Sequence, residues 1–188
     1  MKKKVVILFS GAGTNLLNII KTLHKREVEV VGAITNRPKA EGIAKAKAHS
    51  IEVSVLDHTL YEDREAFDRA LIDEINRFEP DLVVMAGFMR ILTPIVTEKI
   101  RAINVHPSLL PLFKGGNAIQ KSFESSETKG GISVHWVTSE LDGGEVIAQA
   151  SFEKDNAESL ESFTEKIRHL EYKLLPETIV GILKSSES

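Results

Sequence analysis

Cysteine is absent from the 188 residues. That removes a disulfide framework, a thiolate metal site and a cysteine nucleophile together, and it fits a reducing compartment such as the cytoplasm. Long apolar runs are missing too, since no segment approaches the roughly 20 apolar residues a membrane span needs. Met1-Lys2-Lys3-Lys4 has the charge of a secretory leader, but the apolar stretch after it, Val5 to Phe9, is short and runs straight into glycines. A soluble, unprocessed protein with no membrane partner is expected. Positive charge is not in excess, for the net charge is −3 and the pI near 6.1. Duplex DNA or RNA would bind against mild repulsion, which argues against a nucleic-acid partner.

Hydrophobic residues make up 42% of the chain, enough to bury one ample core, and a single domain over 1–188 is expected. Short β-branched runs alternate with stretches of helical period, the pattern of βαβ units on a mostly parallel sheet. Strands are predicted at Lys4 to Phe9, Val28 to Ile34, Ile51 to Val55, Leu82 to Ala86, Ile103 to Val105, Ile132 to Val137 and Val146 to Phe152. Helices are predicted near Asn15 to Lys25, Ala40 to His49, Arg64 to Phe78, Pro94 to Ile100 and Ala157 to Lys184, the last kinked or broken at Pro176. The fold class is therefore three-layer α/β: a twisted, mostly parallel sheet, a Rossmann-like N-terminal half, an antiparallel C-terminal strand and a long C-terminal helix. Low complexity is confined to the Ser-Glu-Ser tail.

Three stretches carry chemistry. Ser10-Gly11-Ala12-Gly13-Thr14-Asn15 lies where the first strand meets the first helix, a position at which open α/β sheets bind ligands. Leu16 replaces the third glycine of a dinucleotide fingerprint, no acid ends strand two, and no Gly-Lys-Ser/Thr follows, so a single phosphate on Gly13, Thr14 and Asn15 is the better reading. A tight turn with an ordinary cap is the alternative.

Asn104 and His106 stand two apart on a strand and so face one spot, with Asp142 on a glycine-rich turn available to join them. Asparagine is a dependable N–H donor to an oxyanion, histidine moves protons near neutrality, and a neighbouring carboxylate orients an imidazole. The trio suits attack on a carbonyl carbon. No G-x-S-x-G elbow supplies a nucleophile, so a second substrate does, and group transfer is favoured over hydrolysis. A histidine satisfied within the core is the plain alternative. His135 is either a second site histidine or a structural one. Metal binding through His106, His135 and Asp142 has no recognisable ligand spacing to support it, and no metal is expected. Ala86 to Leu92 gathers Phe88, Met89, Arg90, Ile91 and Leu92 at the same sheet edge, a wall suited to a flat, mostly apolar ligand, or else a loop that covers core.

Taken in order, Ser10-Gly-x-Gly-Thr-Asn15, Ala86-Gly-Phe-Met-Arg-Ile-Leu92, Asn104-x-His-Pro-Ser-Leu-Leu-Pro111 and Leu141-Asp-Gly-Gly144 closely resemble the folate-dependent phosphoribosylglycinamide formyltransferases of purine synthesis. The central segment is shared with other enzymes that use formyltetrahydrofolate. The resemblance covers nearly the whole chain. It implies transfer of a formyl group from the co-substrate 10-formyltetrahydrofolate to the amine of glycinamide ribonucleotide, both small molecules, by a monomer or weak homodimer. It further implies Asn104, His106 and Asp142 as catalytic residues, the turn at Gly13, Thr14 and Asn15 on the nucleotide phosphate, and Glu171 on its ribose. The folate would be held by Phe88 through Leu92, by Glu140, Leu141 and Gly143, and by Arg64 at its anionic tail. His135 and Ser133 would support the site from behind. One stretch departs from the family, which continues after Leu-Leu-Pro with Pro-Gly and a histidine two places on. Lys114-Gly115-Gly116-Asn117 stands there instead, so neither that loop's shape nor an auxiliary histidine carries over.

Two other readings compete. One is a formyltransferase for another amine, or a deformylase that uses water; a tRNA-directed enzyme would need an appended binding domain and a deformylase an extra regulatory segment. The other is a non-catalytic folate- or phosphate-binding module, which has no need of the Asn104, His106 and Asp142 set.

Overall fold

Every residue from Val5 to Phe9 and from Leu82 to Val84 is at most 1% exposed, so these runs are covered on both faces and form the middle of the sheet. The computed structural model describes residues 1–186; Glu187 and Ser188, the end of the Ser-Glu-Ser tail, lie outside the described residues. The strands are β1 (Lys3–Phe9), β2 (Val28–Thr35), β3 (Val53–Val55), β4 (Leu82–Met85), β5 (Ala102–His106), β6 (Lys129–Trp136) and β7 (Val146–Glu153). They lie in the order β3-β2-β1-β4-β5-β6-β7, parallel from β3 to β5, with antiparallel pairings of β5 to β6 and β6 to β7.

Alternate side chains of β1 feed separate cores, which makes the molecule three-layered. Val5, Ile7 and Phe9 pack with α1 (Thr14–Leu23), α2 (Gly42–Ala48) and α6 (Leu160–Ser185); Val6 and Leu8 pack with α3 (Arg64–Phe78) and α4 (Pro94–Thr97). This is the fold class expected from the alternation of strand and helix patterns.

Two local readings are corrected. No helix was expected over α5 (Ala118–Glu124), which is 7 residues long and has one apolar pair at helical spacing, the partly buried Ile119 and Phe123. The polar side of β6 is buried as well: Ser133 and His135 are 0% and 3% exposed, Ser133 beneath the segment after β5 and His135 against Asn104 and Asp142. Finally, α6 runs unbroken through Pro176. Proline has no N–H for the carbonyl one turn back, that of Tyr172. The Asn18 side chain of α1 donates to that carbonyl at 2.9 Å, satisfying the group that the proline orphans.

Asn18→Ala strips this partner from the Tyr172 carbonyl. It should lower stability by about 1 kcal/mol, read as a lower urea midpoint with unchanged slope; an unmoved midpoint would show that water replaces Asn18 without loss.

Candidate active site

Parallel strands end on the same edge, so the turn after β1, the loop after β4 and the end of β5 meet there. Asn104 and His106 leave β5 on one side while Val105 enters the core between them. The antiparallel register sets Asn104 opposite His135 and His106 opposite Ser133. Asn104 Nδ2 is 3.2 Å from His135 Nε2, and His135 Nδ1 donates to the Trp136 carbonyl at 2.9 Å. His106 Nε2 donates to the Phe113 carbonyl at 2.8 Å, and its Nδ1 lies 3.4 Å from Asp142 Oδ2. Both nitrogens of His106 thus face oxygen acceptors, and an imidazolium has a donor for each.

Asp142 closes the knot. Its Oδ1 is 3.6 Å from His135 Nε2, and its Oδ2 accepts the Gly115 N–H at 2.8 Å. His135 Nε2 therefore sits between amide and carboxylate, accepting from the first when the ring is neutral and donating to the second when it is charged. Burial pushes the Asp142 carboxyl up, but His135, the Gly115 N–H and the charge of His106 outweigh it and hold the group below its ordinary range. Asp142 adopts φ +50°, a left-handed conformation uncommon for a residue with a side chain. Gly144 follows where a Cβ would run into the Trp136 carbonyl oxygen, so the turn needs glycine there.

A catalytic trio of this kind is expected at the mouth of a site rather than deep in packing. Instead, His106 and Asp142 are 6% and 9% exposed and form the floor of a cavity of about 880 Å³. Its walls include Arg64, the whole run Phe88 to Leu92, Glu140 and Leu141 on one side and Asn15 with Glu171 on another. Gly13, Thr14, Gly143 and Ser133 lie outside the lining. Gly143 closes the turn through its N–H to the Glu140 carbonyl at 3.2 Å. Ser133 accepts from Leu110 N at 2.9 Å and donates to the Ser108 carbonyl at 2.8 Å, fastening the segment that crosses the site. Among the described residues, no group of three His, Asp or Glu side chains is arranged to hold a metal ion.

At the glycine turn, Gly13 has φ +70° and lies against Gly42, where any Cβ would come within 2.7 Å of the Gly42 Cα. The first turn of α1 has no side-chain cap and no acidic residue, leaving its N–H groups suited to an anion. Asn15 Nδ2 donates to Glu171 Oε2 at 3.1 Å, joining the turn to α6, while its Oδ1 is buried without a partner. Burial raises Glu171 above the ordinary carboxylate range, only partly offset by Asn15 and Arg168. Sequence reasoning missed Lys45, whose Nζ donates to the Ala12 carbonyl at 2.5 Å and sets a cation on the turn, and the Phe113 and Gly115 backbone groups that hold His106 and Asp142. Backbone partners leave no residue-type signal in a sequence.

A family model described as formyl transferase matches residues 3–179. The phosphoribosylglycinamide formyltransferase of Escherichia coli (strain K12) is 38% identical over 92% of this chain and 83% of its own length. The solved phosphoribosylglycinamide formyltransferase from Campylobacter jejuni subsp. jejuni NCTC 11168 is 48% identical, with a TM-score of 0.94 over 97% of this chain and 98% of that one. The bovine trifunctional purine biosynthetic protein adenosine-3 is 34% identical over 95% of this chain, which spans 18% of that protein's length. The chain belongs to the formyl transferase family.

Because the folded Asp142 carboxyl is depressed, the stability it contributes is present above the unfolded value of about 3.9 and is lost as pH falls through the folded one. Wild type and Asp142→Asn should differ in urea midpoint at neutral pH, with the gap closing below about pH 4. A gap that stays constant into acid would show that the carboxylate gains nothing from His135, Gly115 and His106.

Proposed function

We propose that the protein transfers the formyl group of 10-formyltetrahydrofolate to the amine of glycinamide ribonucleotide. The observation that carries this reading is the knot of buried His106, His135 and Asp142 with half-buried Asn104 at the floor of one cavity whose walls offer a long apolar face and a separate polar end. Phe88 and Leu92 are buried while Met89, Ile91 and Leu141 are 69%, 40% and 47% exposed, a surface suited to a flat pterin and its aromatic tail. Arg64, the first residue of α3, stands on the same wall to meet an anionic tail. At the other end the uncapped start of α1 takes the phosphate through Gly13, Thr14 and Asn15, and Glu171 receives the ribose hydroxyls.

The substrate amine attacks the formyl carbon, forming a C–N bond and pushing charge onto the formyl oxygen. Asn104 donates to that oxyanion. So does His106 Nε2–H, which faces the Phe113 carbonyl here and is drawn by any stronger, charged acceptor. The bond from carbon to the folate nitrogen then breaks. A proton passes from the new amide nitrogen through water to the leaving folate nitrogen, with Asp142 assisting and orienting His106. His135 supports Asn104 and Asp142, and Ser133 supports the segment around them. No metal takes part in these steps. We read residues 1–188 as one formyltransferase domain, monomeric or weakly dimeric, working in the cytoplasm without nucleic-acid or membrane partners. The cysteine-free composition and mild negative charge support that setting. Among the described residues, no helix is long and apolar enough to cross a membrane.

The test is a direct assay of purified protein with 10-formyltetrahydrofolate, with and without glycinamide ribonucleotide. Folate turnover only with the nucleotide is expected; turnover with water alone indicates a deformylase, turnover only with a different amine indicates another acceptor, and no turnover leaves a binding module. Asn104→Ala and His106→Ala should each lower kcat by about 10²–10³-fold. Because His106 is buried, its removal also leaves the Phe113 carbonyl unpaired, and rates must be read per folded molecule. Full activity in His106→Ala would remove this mechanism. Asn15→Ala should raise KM for the nucleotide more than for the folate, and an unchanged nucleotide KM would move the phosphate site elsewhere.

A further inference from the structure

Ser10 and Asn36 are each 1% exposed, directly follow β1 and β2 respectively, and have no part in the chemistry above. Their side chains are nevertheless joined, for Ser10 Oγ donates to Asn36 Oδ1 at 2.5 Å. With its one proton committed there, the Ser10 oxygen can only accept in the other direction, and the Met89 N–H donates to it at 2.8 Å. The Ser10 backbone N–H reaches the same loop, donating to the Gly87 carbonyl at 3.0 Å. Asn36 is fixed from behind by His58, whose Nδ1 lies 2.9 Å from the Asn36 carbonyl oxygen.

The run from Gly87 to Leu92 belongs to no helix or strand. It has no ladder of its own to set its path, so its conformation rests on anchors such as these and on the Thr93 N–H donated to Asp68 at 2.7 Å. Met89 is 69% exposed, so its side chain does little to hold the loop.

We propose that Ser10 and Asn36 are positioning residues for the folate: Asn36 directs the Ser10 hydroxyl, and that hydroxyl clamps the Met89 N–H so that the Phe88 to Leu92 wall keeps its shape. This rests on the reading of that wall as the folate site. Ser10 also opens the glycine turn, but its hydroxyl makes no hydrogen bond to that turn, so removing it takes an anchor from the folate wall alone.

The test pairs kinetics with amide exchange. In wild type the Met89 amide should be strongly protected, and a freely exchanging Met89 amide would overturn the proposal without any variant. Ser10→Ala leaves that N–H buried and unpaired, so its protection should fall and KM for 10-formyltetrahydrofolate should rise roughly ten-fold with kcat little changed. A merely structural role would reduce the fraction of active molecules and leave folate KM where it was, and that result, or an equal rise in the nucleotide KM, sinks the idea. Should Ser10→Ala fail to fold, Asn36→Ala keeps the hydroxyl but removes its direction, and the same shifts are expected at smaller size. Wild type that fails to consume 10-formyltetrahydrofolate in the presence of the nucleotide removes the proposed function. Normal wild-type turnover beside an unchanged folate KM in the variant removes this inference alone.

Discussion

Asn104 faces His135 and His106 faces Ser133 because β5 and β6 pair antiparallel in one register, and the polar knot is built outward from that pairing. A slip of one residue would turn Asn104 and His106 to the side on which Ile103 and Val105 pack and put those apolar side chains where the amide and imidazole stand, since strand side chains alternate with period two. The register is held by burial. Ile103 and Val105 on β5, with Ile132 and Val134 on β6, belong to one core, so the apolar contacts that stabilise the sheet also aim the polar side chains the other way.

The next layer is backbone chemistry. His106 is gripped by the Phe113 carbonyl and Asp142 by the Gly115 N–H, so the segment from Pro107 to Asn117 acts as part of the site. Ser133 fixes the near end of that segment through Leu110 and Ser108, and the Asp142 turn fixes the far end. A buried imidazole and carboxylate are tolerated here because their polar atoms meet complementary partners; without them, each would leave a desolvated group unpaired.

Legibility in the sequence followed from where the signal resides. Period-two and helical patterns were enough for the sheet, since β1 and β4 are apolar at every buried position and α3 repeats Phe67, Leu71 and Ile75. The spacing of Asn104 and His106 placed them on one face, and Asp142 next to glycines put it on a turn. What escaped was information that no residue type announces. Short α5 has one apolar pair, too little to show a period, and the partner that lets Pro176 stay within α6 is an asparagine far away in sequence. The depth of His106 depended on a segment folding back over β6, which alternation within one strand cannot reveal.

Several local rules are broken around the cavity, and they are broken together. Asp142 takes a left-handed conformation, Glu171 is half-buried with its carboxyl pushed up, and Asn15 Oδ1 and Arg90 Nε are buried without partners. Each works against folding, by roughly 1–3 kcal/mol for an unpaired buried polar atom. Elsewhere some conflicts are relieved and others stand: Asn18 repairs the one that Pro176 creates and Asp63 caps α3 by accepting from Ala66 N at 2.7 Å, while Asp68 Oδ1 and Thr93 Oγ1 are also buried without partners and Lys25, Ser50 and Glu79 are also left-handed. Strain at a cavity is expected where side chains are arranged for a bound molecule as well as for the folded chain. The orphaned atoms support this, because Asn15 and Arg90 both line the cavity and a ligand can supply the partners that the protein withholds.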